Sequence, residues 1–122
     1  MTKIVIAEDD ELILELLSGQ LRLNGFDVIS TRNGSEALAA LKTHRPDILV
    51  LDLNMPVLDG VGVLKQLQAW TFRPKVLVMT ARRAEGEVKE CLRLGAHDYM
   101  VKPVPERALV LRIQRLLATP CL

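Results

Sequence analysis

Polar side chains that could do chemistry follow four short apolar runs of this sequence. They comprise two or three carboxylates after the first run, then a lone carboxylate, a hydroxyl and an ammonium group: Glu8, Asp9 and Asp10, then Asp52, Thr80 and Lys102. Open α/β sheets place their chemistry at the carboxyl ends of parallel strands. If the four runs are such strands, these groups meet in one crevice. Carboxylates beside a hydroxyl and an ammonium suit a metal-dependent phosphoryl transfer to an aspartate.

The carboxylates of Glu8, Asp9 and Asp52 would repel one another unless a cation neutralised their charge or one of them was protonated. With strand order 2-1-3-4-5, the first and third strands are neighbours, which brings these side chains together. Two unit charges about 4 Å apart repel by about 4 kcal/mol at an effective dielectric of about 20. Carboxylate and backbone oxygens suit a hard ion, Mg²⁺ before Ca²⁺. The Cys/His spacing of a zinc site is not found in the sequence.

Each of these residues also has an ordinary structural interpretation. Acidic residues favour helix N-termini and turns, and this is the main role that we assign to Asp10. A threonine often ends a strand, and a lysine is usually solvated. The functional hypothesis therefore depends on the agreement of four strand ends.

The elements that would position these groups alternate between strand and helix five times. Buried-strand patterns lie at about 3–7, 26–30, 47–52, 75–79 and 97–101. Amphipathic patterns follow at about 10–23, 34–44, 59–69, 84–94 and 105–118. Such βα repeats predict a mostly parallel sheet with helices on both faces. The fourth helix contains Gly86, so we predict that it is the most mobile of the five.

Composition narrows the class of protein. The 122 residues fit one domain, and 49% apolar with 25% charged residues is typical of a globular one. A net charge of +1 favours neither nucleic acid nor an anionic membrane as a direct partner, and the apolar runs are too short to span a bilayer. Cys91 and Cys121 lack C-x-x-C spacing, which predicts free thiols in a cytoplasmic protein.

The sequence resembles the receiver domains of bacterial two-component response regulators. Four segments carry the resemblance and together reach across the chain: Ile4–Asp10, Leu51–Gly60, Val78–Ala81 and Gly95–Pro103. The resemblance implies a single doubly wound (βα)5 flavodoxin-like domain over residues 1–122, with a parallel five-stranded sheet in the order 2-1-3-4-5. It also implies a signalling domain that assists its own phosphorylation and dephosphorylation rather than an enzyme.

The same resemblance implies a role for each residue of the acidic pocket. Asp52 would accept the phosphoryl group, Thr80 would donate its hydroxyl to a phosphoryl oxygen, and Lys102 would balance the charge. Mg²⁺ would be held by Asp9 and Asp52, by Glu8 as a weaker or water-mediated ligand, and by the backbone carbonyl of Asn54. The Lys102-Pro103 peptide bond is expected to be cis.

The resemblance further implies how the signal leaves the pocket. Thr80 would move towards the phosphoryl group, and Tyr99 would turn inward into the space that it vacates. The readout face would be the fourth helix, fifth strand and fifth helix, with Val88, Tyr99 and Val104 on or near it. The implied partners are a sensor histidine kinase or phosphotransfer protein and a downstream effector domain or protein. A homodimer that forms on phosphorylation is a further alternative.

The chain departs from the family pattern in two respects, and its sequence also leaves two rival functions open. Val104 stands where many relatives have phenylalanine, and Asn54 and Arg82 occupy variable positions that tune the lifetime of the phosphate. A haloacid-dehalogenase-like Mg-dependent phosphatase uses similar groups, but it has a second acid where this chain has Asn54. A pseudo-receiver that binds partners without phosphorylation is the other rival.

One further expectation concerns the length of the chain, and another concerns the position of its tryptophan. The chain is either a free-standing receiver or a piece of a longer protein, and its abrupt end slightly favours a piece. Trp70, near the end of the third predicted helix, is expected at the pole opposite the strand carboxyl ends.

Overall fold

The computed structural model describes residues 1–81 and 85–119. Its strands are β1 (Lys3–Ala7), β2 (Asp27–Thr31), β3 (Ile48–Asp52), β4 (Lys75–Thr80) and β5 (Asp98–Val101). Its helices are α1 (Glu11–Leu23), α2 (Gly34–His44), α3 (Gly60–Leu67), α4 (Glu85–Arg93) and α5 (Glu106–Ala118). All neighbouring strands pair in parallel in the order β2-β1-β3-β4-β5, which confirms the predicted topology.

The central strands are apolar throughout because helices cover both faces of the sheet. Successive strand side chains point to opposite faces. Val5 and Leu49 therefore pack in one buried cluster with α2 and α3, whereas Ile4 and Ile48 pack in a second with α1 and α5. Asp52 continues the buried run of β3, so its carboxylate lies where an apolar side chain would be expected.

Side-chain caps begin the first three helices on the side of the sheet where the strands end. Asp10 accepts a hydrogen bond from the Ile13 amide, so the capping role predicted for Asp10 is confirmed. Asp59 caps α3 in the same way, through the Gly62 amide at 2.8 Å. These caps fix where each helix departs from the site.

The observed elements begin and end close to the predicted positions, with one clear shift in α3. This helix ends at Leu67, two residues before the predicted end. The chain then continues in tighter turns, in which the amides of Ala69 and Trp70 donate to carbonyls three residues earlier. The helical pattern of the sequence therefore extends past the α-helix itself.

The helix α4 forms despite Gly86, and its greater mobility stays a prediction. Within the described residues, Cys91 is a buried free thiol, whereas Cys121 and Arg82 lie outside them. None of the described helices has the length and apolar character needed to cross a membrane.

Candidate functional site

The site lies where β1 and β3 end, beside the carboxyl end of β4. Glu8 directly follows β1 and Asp52 is the last residue of β3, and both side chains are fully buried. The Glu8 amide donates to the Thr31 carbonyl at 3.1 Å, which holds Glu8 against the end of β2. The Leu53 amide likewise donates to the Met79 carbonyl at 3.0 Å, which extends the pairing of β3 and β4 just past Asp52. Strand pairing thus fixes both carboxylates in the backbone frame of the sheet.

Lys102 enters the same site from the end of β5. Its amide donates to the Thr80 carbonyl at 2.8 Å, and its peptide bond to Pro103 is cis, as expected. The ammonium nitrogen Nζ lies 2.8 Å from Glu8 Oε1 and 3.0 Å from Asp52 Oδ2. One lysine therefore bridges the two buried carboxylates.

Burial dominates the electrostatics of Glu8. Desolvation raises the pKa of this carboxyl from 4.5 to about 7, the Lys102 and Asp10 hydrogen bonds oppose the rise, and Asp52 adds to it. Burial lowers the pKa of Lys102, but its hydrogen bonds and ion pairs with Glu8 and Asp52 outweigh that effect and leave the pKa raised. The ammonium group is therefore held in its charged form.

Three carboxylates of the site are close enough to share one metal ion. Glu8, Asp9 and Asp52 each offer an oxygen, and these oxygens all lie within 4.8 Å of one another. Asp9 is exposed, so the cluster opens to solvent on one side. The buried oxygens Glu8 Oε1 and Asp52 Oδ2 both face the single Lys102 ammonium group, and no other hydrogen-bond donor of the described residues reaches either of them. Buried anionic oxygens that share one cationic partner fit an additional hard divalent cation.

The other predicted site residues lie around this cluster. The Asn54 amide donates to Asp52 Oδ1 at 3.1 Å, while the Asn54 side chain is exposed. Thr80 is almost fully buried, and within the described residues its hydroxyl makes one long hydrogen bond, of 3.3 Å, to the adjacent Ala81 carbonyl. Tyr99 pairs with Val78 in the sheet, and 41% of it is exposed. The tyrosine ring therefore lies outward in this structure.

Gly60 is a site residue to which the sequence reasoning gave no role. A Cβ atom at Gly60 would lie 2.7 Å from the Asp52 carbonyl oxygen and 2.8 Å from Leu53 Cα. The connection after β3 folds back here, since the Gly60 amide donates to the Leu53 carbonyl at 3.1 Å. The feature of the sequence that could have predicted this turn is the dipeptide Asp59-Gly60, in which a helix-capping residue is followed by the smallest residue.

Sequence comparison identifies the relatives of this chain. The family model of the response regulator receiver domain matches residues 4–114. The alkaline phosphatase synthesis transcriptional regulatory protein PhoP of Bacillus subtilis is 40% identical over 115 residues, 94% of this chain and 48% of that protein. The transcriptional regulatory protein PrrA of Mycobacterium tuberculosis is 42% identical over 115 residues, 94% of this chain and 49% of that protein. The chain thus spans about half the length of these curated relatives.

Solved structures give the same result. A Francisella response regulator receiver domain superposes with a TM-score of 0.88 at 31% identity, covering 95% of this chain and 96% of that one. The chemotaxis response regulator CheY4 of Vibrio cholerae gives a TM-score of 0.88 at 28% identity, covering 95% of this chain and 98% of that one. These matches agree with the buried carboxylates, the lysine and the order of the strands, and they show that this chain belongs to the receiver domains of two-component response regulators.

Proposed function

We propose that residues 1–122 form one receiver domain in which Asp52 is the phosphoacceptor. The observation that carries the proposal is the convergence of Asp52 with Glu8, Asp9 and Lys102 at the ends of neighbouring strands. A carboxylate is a usable nucleophile towards phosphorus when neighbouring positive charge reduces its repulsion from the phosphoryl oxygens. Asp52 is the only member of the cluster that is both buried and the last residue of its strand.

The metal ion in this proposal is Mg²⁺. The carboxylates of Glu8, Asp9 and Asp52 and the backbone carbonyl of Asn54 would hold it, in keeping with the preference of Mg²⁺ for oxygen ligands. When bound, the ion supplies positive charge that neutralises carboxylate and phosphoryl oxygens during the transfer.

The chemistry at Asp52 is a direct displacement at phosphorus. A carboxylate oxygen of Asp52 forms a bond to phosphorus as the bond from phosphorus to the donor breaks, and the donor keeps that electron pair. For a phosphohistidine donor, the leaving group is the imidazole of the partner protein. Lys102, already 3.0 Å from Asp52 Oδ2, would turn its charge to the new phosphoryl oxygens, and Thr80 would donate its hydroxyl to one of them.

The proposed output depends on Thr80 and Tyr99. A phosphoryl group adds negative charge and strong hydrogen-bond acceptors at the site. In the described part of the chain, the Thr80 hydroxyl has one long hydrogen bond to lose, to the Ala81 carbonyl, so its movement towards these acceptors costs little. Tyr99, which is outward here, would then turn inward, and the surface of α4, β5 and α5 would change.

The partners are part of the same proposal. A sensor histidine kinase or phosphotransfer protein supplies the phosphoryl group, and an effector domain or protein reads the α4-β5-α5 surface. Half-buried Val88 lies on α4, and half-buried Val104 lies in the connection between β5 and α5. Because relatives such as PhoP and PrrA are named as transcriptional regulators and are about twice as long, we infer that the output is the control of a transcriptional effector. A homodimer that forms on phosphorylation is compatible with this inference.

Intact-protein mass spectrometry after incubation with Mg²⁺ and acetyl phosphate tests the phosphoacceptor. We expect one added phosphoryl group per chain, and none in Asp52→Asn. The matched control is Asp47→Asn, because Asp47 lies just before β3 at the opposite end of the same strand. Phosphate retained by Asp52→Asn, or mapped to another residue of the wild type, would contradict the proposal.

A second measurement separates the switch from the phosphorylation. Tyr99 is the only tyrosine, so its ring resonances can be assigned directly and their solvent accessibility followed. We expect accessibility to fall on phosphorylation of the wild type. In Thr80→Val, which keeps the shape but loses the hydroxyl, phosphorylation should proceed without that fall. An unchanged Tyr99 in the phosphorylated wild type would remove the switch and leave the phosphoacceptor in place.

A further inference from the structure

A second cleft lies at the pole of the sheet opposite the acidic site. It has a volume of about 390 Å³ and lies between the end of α2 and the connection from α3 to β4. Its lining combines apolar side chains, two cations and two aromatic rings: Leu41, Lys42, Arg45, Ala69, Trp70, Thr71 and Phe72. No acidic residue is in this lining, so the cleft has a positive charge and an aromatic wall.

Each of the two cations lies over one of the rings. Lys42 Nζ is 5.4 Å from the centroid of the Trp70 ring, and the guanidinium carbon of Arg45 is 4.8 Å from that of Phe72. Within residues 1–81 and 85–119, no salt bridge joins Lys42 or Arg45 to a carboxylate. Both rings are only half-buried, so part of each faces the cleft. Two cations that lack an acidic partner and two accessible rings therefore converge on one space.

The backbone of Arg45 gives an independent reason to connect its side chain with this space. Arg45 ends α2 with φ of 45° and ψ of 62°, in the left-handed region. The chain places glycine at the corresponding positive-φ positions after α1 and α4, Gly25 and Gly95. Glycine adopts this conformation without strain, whereas arginine does not. An unfavourable residue held at a helix end points to a role for its side chain.

The loop that carries the rings is held in place before any ligand arrives. The Arg73 guanidinium group donates to the Trp70 carbonyl at 3.3 Å and to the Gln68 carbonyl at 3.1 Å. The Trp70 amide donates to the Leu67 carbonyl at 3.0 Å. A preformed wall loses little conformational entropy when a ligand binds to it.

We propose that this cleft binds a nucleoside monophosphate, with the base against the aromatic wall and the phosphate on Lys42 and Arg45. Planar bases stack on aromatic rings, and a guanidinium group with an ammonium group is a strong combination for phosphate. Cations at the end of α2 also complement the helix dipole, but that role does not require them to lie over aromatic rings. The volume suits one nucleotide, whereas a nucleic-acid strand needs a basic track that continues past the cleft. The proposal does not depend on phosphorylation of Asp52.

Trp70 is the only tryptophan, so its fluorescence reports directly on the cleft. The full chain is titrated with adenosine and guanosine monophosphates, with adenosine, with inorganic phosphate and with a single-stranded oligonucleotide, and calorimetry gives a second measure of affinity. We expect at least one of the monophosphates to quench Trp70 saturably. Adenosine and inorganic phosphate should each bind at least about tenfold more weakly than that monophosphate, because each lacks half of the contacts.

Variants separate the cleft from general charge effects. Arg45→Gly removes the cation while relaxing the backbone, so it should bind the nucleotide about tenfold more weakly without losing stability. Lys42→Gln should have a similar effect on calorimetric affinity. Arg115→Gln, an exposed cation of α5 outside the cleft, is the matched control and should bind as the wild type does. Absence of saturable binding, equal affinity for adenosine, tighter binding of the oligonucleotide, or unchanged affinity in Arg45→Gly would each overturn the proposal.

Discussion

The two ends of the strand β3 differ in how they hold charge. At its carboxyl end, Asp52 is fully buried and shares Lys102 with Glu8. At its amino end, the nearby cations Lys42 and Arg45 are exposed and lie over aromatic rings. Solvent hydrates the exposed ammonium and guanidinium groups, whereas the buried carboxylates depend on hydrogen bonds and positive charge from the protein or from a bound ion. The end of the sheet with Glu8 and Asp52, the acidic pole, therefore holds buried negative charge, whereas the opposite end with Lys42, Arg45 and the two rings, the aromatic pole, holds solvent-accessible positive charge.

Part of this difference follows from the fold alone. In a parallel sheet with alternating helices, the helices begin at the pole where the strands end. Acidic residues in first turns then gather at that pole, and basic residues in last turns gather at the other, as the helix dipole favours. In α1, α2 and α5 the first-turn acids are Glu11, Glu36 and Glu106, and the last-turn bases of the five helices are Arg22, Lys42, His44, Lys65, Arg93 and Arg115. The burial of Glu8 and Asp52 does not follow from this rule, and the phosphoacceptor site proposed above accounts for it.

The largest expected effect is a change of stability with pH, which tests the burial of Glu8. The pKa of Glu8 is 4.5 when unperturbed and about 7 in the fold, so the folded state binds more protons between these values. The contribution of Glu8 to stability is therefore fully present below pH 4.5 and is lost as the pH rises through about 7. For the metal-free protein, the loss amounts to at most about 3 kcal/mol.

The measurement is chemical denaturation with a chelator present, across that pH range, for the wild type and Glu8→Gln. The variant has no carboxyl to ionise, so its free energy of unfolding should fall less with pH. Glu15→Gln, an exposed residue of α1, is the control and should follow the wild type. If the free energies of unfolding of the wild type and Glu8→Gln changed in parallel with pH, burial would not disfavour the charged form of Glu8.

The next effect tests how tightly the backbone is packed at the acidic pole. Gly60→Ala places a methyl group 2.7 Å from the Asp52 carbonyl oxygen, and overpacking of this kind costs about 1–3 kcal/mol. At Gly86, on α4, an added Cβ atom meets no described atom outside its own helix within 4 Å, so Gly86→Ala should instead stabilise the protein by up to about 1 kcal/mol. Chemical denaturation measures both, and acetyl phosphate labelling of Gly60→Ala should slow because Asp52 shifts. Two alanine variants of equal stability would show that the turn after β3 is loose.

The sequence was sufficient to predict the acidic pole because its signals are local. Each chemical residue stands directly after an apolar run, and the rule for parallel sheets brings those ends together. The family resemblance ranked Asp9 above Glu8 as a metal ligand, but nothing in the sequence predicted that Glu8 is fully buried and Asp9 exposed. Neighbouring acids have nearly the same chemistry, and which one points into the crevice depends on how β1 meets β2 and β3.

The aromatic pole was predictable only in outline. Trp70 was placed correctly at the far pole, but neither Lys42 nor Arg45 was predicted to meet an aromatic ring. Those contacts join the end of α2 to a loop after α3, and no spacing pattern within either segment encodes them. The early end of α3 was also not predicted, and the loop that follows it is held by hydrogen bonds from Arg73 to the Gln68 and Trp70 carbonyls.

A smaller effect tests the strain at Arg45. Both Arg45→Gly and Arg45→Ala remove the cation from Phe72, but only glycine adopts φ of 45° without strain. The glycine variant should therefore be more stable than the alanine variant by about 1 kcal/mol, as chemical denaturation can measure. Equal stabilities would show that this helix end relaxes when the side chain is shortened, and the argument from strain would then fail.

The smallest expected effect is an absence of response, and it tests whether the two poles are independent. Trp70 lies beside the end of α2, at the opposite end of the sheet from the carboxylates that would hold Mg²⁺. A bound ion changes local charge at the acidic pole and has no contact through which to quench this ring. Mg²⁺ should therefore leave the fluorescence of the wild type nearly unchanged. A tryptophan introduced at exposed Asn54, in a Trp70→Phe background, should respond strongly and serves as the positive control. If Trp70 responded as strongly as that control, binding at the acidic pole would have to reorganise the far end of α2. The aromatic cleft would then be coupled to the phosphoacceptor site and would no longer be a separate one.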